Sequence, residues 1–182
     1  MPRSSDNLRQ ARKNKCDEFY TLYEDIEKEM QHYDFKDKVI VCPCNDADKN
    51  FHKYFTDNFE ELGLKRLICV HYNPDRWGGS FYYDNGEKKL LKGDGDFRSK
   101  EVIDLMKQGD YIITNPPFSL FIDFMKIMNE CDLKFCVVGN INAIVYKDVF
   151  PLFKEDKLWI GHTMRGGGAY FEVPEEYLNE KK

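Results

Sequence analysis

Thr114-Asn115-Pro116-Pro117-Phe118 is the segment whose residue types best suit chemistry. Two consecutive prolines remove two backbone donors and fix φ at both positions, so the segment presents carbonyls and one carboxamide in a rigid arrangement. Rigid acceptors suit a planar amino group. The 6-amino group of adenine is a weak nucleophile because its lone pair is delocalised into the ring. Acceptors at the Asn115 side-chain oxygen and the Pro116 carbonyl would take both amino hydrogens and free that lone pair. Phe118 supplies a face on which a base drawn out of a duplex can stack. As a bare tetrapeptide the same residues also make an ordinary turn, so the element that precedes them decides their meaning.

That element is an apolar run at 110–114, and the chain repeats the arrangement. From Glu18 onward Phe19, Leu22, Tyr23, Ile26, Met30 and Tyr33 recur at helical spacing, followed by a β-branched run at 38–42 that ends at Pro43. Phe51, Tyr54, Phe55, Phe59 and Leu62 mark a second helical face, closed by Gly63, before a strand at 66–71. Asn85-Gly86 is a two-residue hairpin signal within 80–91, read as a β excursion leading into the third strand. Ser99 caps a helix carrying Val102, Ile103 and Met106 and ended by Gly109; after the strand at 110–114, Ser119 caps a helix over 120–130. A fifth strand at 134–138, a helix over 143–153 that includes Pro151, and strands at 158–160 and 169–173 complete the pattern. Strands alternating with such helices predict the α/β class: a doubly wound, mainly parallel, Rossmann-like sheet of about seven strands with helices on both faces. Ligands in these sheets sit beyond the carboxyl ends of the strands, where strand order reverses, and the Asn115 segment follows such an end.

The 182 residues hold 27 Lys plus Arg against 32 Asp plus Glu, a net charge of −5, and 15% are aromatic. Such a chain is too aromatic for a disordered tail and too charged for a membrane protein. No stretch reaches the roughly 18 apolar residues of a membrane span and the N-terminus lacks an apolar signal core, so the expected location is cytoplasmic. Over 1–15, Arg3, Arg9, Arg12, Lys13 and Lys15 stand against Asp6 alone, which predicts a basic, flexible arm, bounded at 1–14, that is either simply solvated or touches phosphate through counterion release. Cys16, Cys42, Cys44, Cys69, Cys131 and Cys136 read as reduced thiols; Cys42 and Cys44 lack a second pair at ligand spacing, so no metal is expected. His32, His52, His71 and His162 read as packing or surface residues, and Gly166-Gly-Gly168 with Arg165 as a mobile turn.

Five segments narrow the reading: Lys15-Cys-Asp-Glu-Phe-Tyr-Thr21, Val41-Cys-Pro-Cys-Asn-Asp46, Gly93-Asp-Gly-Asp-Phe97, Thr114-Asn-Pro-Pro-Phe-Ser-Leu-Phe121 and Leu158-Trp-Ile-Gly161. In this order, over about 14–177, they resemble the EcoRI-type adenine-specific DNA methyltransferases. The resemblance implies S-adenosylmethionine as methyl donor and double-stranded DNA with an adenine target as substrate, in a restriction-modification role. It implies a catalytic domain over 15–182, with no separate target-recognition domain evident. Members of the family continue further into a segment that helps read the target, which leaves room for a second subunit in that role.

The same resemblance assigns residues. Phe19, Tyr20 and Thr21 close over the methionine end of the donor, although Phe19 and Tyr20 also suit core packing. Cys42, Pro43 and Cys44 form the first-strand loop, without its usual glycines, and Asp46 either binds the donor's ammonium or caps the next helix. No acidic residue follows the second strand; Tyr72 or Asn73 stands in for ribose recognition. Asp96 accepts from the donor's adenine amino group and Phe97 stacks on that ring. Asn115, Pro116, Pro117 and Phe118 hold the target base beside the methyl group, and Asn115 also contacts the donor. In-line transfer from a sulfonium needs alignment more than an acid or base, consistent with the lack of a Ser/His/Asp or Cys/His set. Two other readings stay open: a non-catalytic domain that binds cofactor or a partner, and transfer to an amino group of RNA or protein glutamine.

Overall fold

The computed structural model describes residues 20–44, 50–73, 80–163 and 171–172. The described chain opens with a two-residue strand, β1 (Tyr20–Thr21), and Leu22 leads into helix α1 (Tyr23–Met30), whose first turn carries Glu24 and Asp25 against the helix dipole. The helical spacing predicts an earlier start. Tyr20 and Thr21 are extended instead, because they pair antiparallel with Glu172 and Phe171, contacts that no local period records.

Strand β2 (Val39–Cys42) is buried at every position, as expected of a run with no polar face. Helix α2 (Asn50–Asp57) follows, then β3 (Arg66–His71) and the hairpin strands β4 (Phe81–Asp84) and β5 (Glu87–Leu90). Asn85 and Gly86 both have positive φ, 50° and 82°, the type I′ geometry that matches the twist of a tight hairpin. Helix α3 (Lys100–Met106) begins at Ser99, whose hydroxyl accepts from the Val102 amide as predicted. Beyond β6 (Tyr111–Thr114), a 3-10 turn at Phe118–Leu120 leads into α4 (Phe121–Glu130), then β7 (Phe135–Val137). Ser119 lies inside that turn rather than capping the helix, because Pro117 holds the extended entry position. A second 3-10 turn (Ile141–Val145) and the short α5 (Phe150–Lys154), with Pro151 in its first turn, replace the single helix expected over 143–153. The last described strand is β8 (Phe171–Glu172).

The main sheet has strand order β5-β4-β3-β2-β6-β7. Pairs β3–β2, β2–β6 and β6–β7 are parallel, and β4 runs antiparallel to both of its neighbours. Among the described residues six strands form it, where about seven were expected. Residues 158–160 make no strand, and β8 pairs only with β1 in a separate two-stranded sheet. The expected third strand is the hairpin's outer strand, an exposed edge carrying Lys88 and Lys89.

Alternation along the central strands sends side chains to two cores. Ile40, Cys42, Leu67, Cys69 and Ile113 face α1 and α2, whereas Val41, Ile68, Val70 and Ile112 face α3 and α4. A third cluster of Phe121, Met125, Ala143, Val149 and Leu152 packs the segment after β7 onto α4. The doubly wound α/β expectation therefore holds, and strand order reverses between β2 and β6. No helix among the described residues is long and apolar enough to cross a membrane.

Candidate active site

The loops after β2 and β6 leave from adjacent parallel strands, paired Ile40 to Tyr111 and Val41 to Ile112, so both emerge at the switch point. Thr114 is fully buried, and its carbonyl accepts from the Val138 amide, tying the start of the Asn115 loop to the end of β7. Pro116 is buried, Pro117 is extended at φ −54° and ψ 130°, and its carbonyl closes the next turn by accepting from Leu120. Asn115 and Phe118 are half-buried, with Asn115 Oδ1 shielded from water.

Two further loops meet beside β3. The Asn73 amide donates to the Asp94 carbonyl at 2.8 Å. At Gly95, φ is +83° and a Cβ would lie 2.4 Å from the His71 carbonyl oxygen and 3.1 Å from Tyr72 Cα. Only glycine permits that approach. Glu101, in the first turn of α3, accepts from the amides of Lys92 and Gly93 and fixes where the loop starts.

The predicted residues are placed unevenly. Tyr72 is exposed at the rim of the Gly93–Phe97 loop. Asp96 is held by Arg98, whose Nε and Nη2 reach its two oxygens at 3.0 and 2.6 Å, and this pairing keeps its carboxyl below the usual range. Phe97 is 5% exposed and packs on Phe124 at 5.3 Å between ring centroids, so the ring expected to stack on a ligand is given to the core. The Cys42 thiol is likewise buried, paired across the strands with Cys69, and only its backbone faces the loop; Pro43 is buried and Cys44 half-buried. Thr21 is 3% exposed, its carbonyl accepts from Asn50 Nδ2, and its Oγ1 is buried without a hydrogen-bond partner among the described residues. Phe19 and Asp46 lie outside the described residues, as does the side chain of Tyr20.

Sequence reasoning missed Asn50, Arg98 and Glu29. Arg98 was legible as the third residue of an Asp-x-Arg step. Glu29 was not, because its partners at 162 and 163 lie far along the chain.

Residues 7–90 and 78–182 match the family model described as "Adenine-specific methyltransferase EcoRI". The chain belongs to this EcoRI-type family. Type II methyltransferase M.EcoRI of Escherichia coli is 45% identical over 202 aligned positions, covering 97% of this chain. M.MpnI of Mycoplasma pneumoniae is 44% identical over 92% of the chain, and M.MgeORF184P of Mycoplasma genitalium 40% over 87%. The chain spans 62%, 54% and 51% of those relatives' lengths respectively. No solved structure matches it. EcoRI-type membership agrees with the resemblance seen in the five segments.

Proposed function

We propose that this chain is the catalytic domain, over 15–182, of an S-adenosylmethionine-dependent DNA methyltransferase acting on the 6-amino group of adenine, with residues 1–14 as a basic arm. One observation carries the reading: in a member of the EcoRI-type family, Asn115-Pro-Pro-Phe118 leaves the carboxyl end of β6 beside the β2 loop at the reversal of strand order. The residues present fit the donor. The Thr21 hydroxyl, buried and without a partner among the described residues, and the close-packed glycine loop at 93–97 offer a polar anchor and a backbone cradle.

Thr21, the backbone of Cys42, Cys44, Tyr72 and Asp96 would hold the donor, with Phe19, Tyr20, Pro43 and Asp46 completing its surroundings. When bound, the donor supplies a methyl group on a sulfonium. Asp96, kept ionised by Arg98, has oxygen lone pairs left to accept from an adenine amino group. Phe97 supports that loop from within the core. Asn115 Oδ1 and the Pro116 carbonyl accept hydrogen bonds from the two N–H groups of the target amine, which takes the methyl group as the S–C bond breaks and then releases one proton to solvent, and Phe118 stacks on the base. Because two prolines fix this loop in advance, little reorganisation opposes the reaction.

Calorimetric titration with S-adenosylmethionine, followed by methyl transfer to adenine-containing DNA, tests the reading. Asn115→Ala should leave donor affinity within about threefold and lower transfer at least 100-fold, the scale of losing one preorganised acceptor. Unchanged transfer would remove Asn115 from its role. Transfer to RNA or glutamine peptides in place of DNA would change the substrate class, and donor binding without any transfer would leave a binding domain.

A further inference from the structure

The Leu158-Trp-Ile-Gly161 segment has no part in the reading above, yet it delivers its end to one side chain. Glu29, in the last turn of α1, is 9% exposed. Its Oε1 accepts from Tyr33 Oη at 2.6 Å and the His162 amide at 2.8 Å. Its Oε2 accepts from the Thr163 amide at 2.8 Å and Thr163 Oγ1 at 2.5 Å. Four donors therefore surround one carboxylate, two of them consecutive backbone amides. Gly161 lets them close in, since a Cβ there would lie 2.6 Å from Glu29 Oε1. The His162 ring stacks on His32 at 4.6 Å and meets the edge of Tyr33 at 5.6 Å.

This attachment is the first of two. Further along the chain, β8 pairs with β1, and only Leu22 separates β1 from α1. Residues 161–163 and 171–172 thus fasten to the same β1–α1 unit. A ladder of two residues per strand is too small to persist alone. Thr21, with its buried hydroxyl, is in that ladder.

We propose that Glu29 is a positioning residue for donor binding: by anchoring residues 161–163 on α1 it keeps β8 against β1 and holds Thr21 in place. The proposal rests on the assignment of Thr21 to the donor site. A carboxylate suits the site best, because an amide in either orientation would turn its NH2 toward one backbone amide that can only donate, and the hydroxyl beside it would have to reverse. If the anchored state becomes a minority, apparent affinity falls by the remaining competent fraction.

Hydrogen exchange and donor titration on Glu29→Gln, Tyr33→Phe and Asp84→Asn test this. In Glu29→Gln, amide protection at 20–21 and 171–172 should fall at least tenfold, with β2 and β6 still protected. The dissociation constant for S-adenosylmethionine and its KM should rise at least tenfold, with kcat at saturating donor within about twofold. Tyr33→Phe, which removes one donor of four, should move the same quantities two- to fivefold. Asp84→Asn, at the opposite edge of the sheet, should leave donor affinity within twofold. Unchanged protection at 171–172 in Glu29→Gln overturns the anchor, and lost protection with unchanged affinity overturns the positioning role. If the unaltered chain fails to bind the donor, the functional reading falls and the positioning role with it, while the exchange pattern still decides whether Glu29 is the anchor.

Discussion

Glu29 and Asp84 are both buried carboxylates held at about 2, and they reach that state by different means. For Glu29, burial opposes ionisation, and the Thr163 and Tyr33 hydroxyls with the amides of His162 and Thr163 more than reverse it. No cation takes part among these contacts. For Asp84 the main cause is Arg66, whose Nε and Nη2 reach its oxygens at 2.6 and 2.8 Å, with Lys89 adding a third contact at 2.6 Å. The Asp84 group joins neighbours within the antiparallel β3–β4–β5 strands, whereas Glu29 joins residues 133 and 134 positions away. Neutral donors demand an acceptor of fixed geometry, but mobile cations at a wet edge tolerate a weaker one. The first arrangement ties distant segments together, and the second braces strands that already pair as sheet neighbours.

The largest separation between the two should appear on replacing each acid by its amide. Glu29→Gln should lower unfolding free energy by about 3 kcal/mol in urea titrations, from charge-assisted bonds weakened and one backbone amide left facing an NH2. A cost no greater than that of the matching Asp84 change would end the distinction. Acidification should show the same ranking. Both carboxyls titrate lower when folded than their ordinary 4.5 and 3.8, so each contributes stability that is complete above those values and is lost as pH falls toward about 2. The wider interval belongs to Glu29. The urea midpoint of Glu29→Gln should therefore fall less between pH 5 and about pH 2.5 than that of the unaltered chain.

How far the sequence discloses these features depends on the separation of the partners. The runs that became β2, β3 and β6 were legible because strands buried on both faces must be apolar throughout, and Asn85-Gly86 specified its turn locally. The position of Asn115 followed directly from the strand before it. Thr21 was a candidate by resemblance, but its strand was read as helix because its partner, Phe171, lies near the other end of the chain. Residues 158–160 had the composition of a strand and form none; the chain just beyond them satisfies its amides on Glu29. Phe97 shows the converse limit. An aromatic after a glycine loop suits a ligand or a core equally, and only packing on Phe124 decides between them.

Asp84→Asn should cost less, about 1–2 kcal/mol by urea titration, because Arg66 keeps its bond to Gln108 and both cations reach water. The smallest difference is the response to salt. Raising ionic strength to about 1 M shortens the screening length to roughly 3 Å, which weakens an ion pair at a partly exposed edge but hardly alters hydrogen bonds from neutral donors. In a double-mutant cycle, the Asp84–Lys89 coupling should shrink from low to high salt, whereas the Glu29–Tyr33 coupling should stay constant. Equal salt dependence in the two cycles would mean that the Glu29 carboxylate is balanced by charge after all, and the contrast between the two acids would reduce to position in the fold.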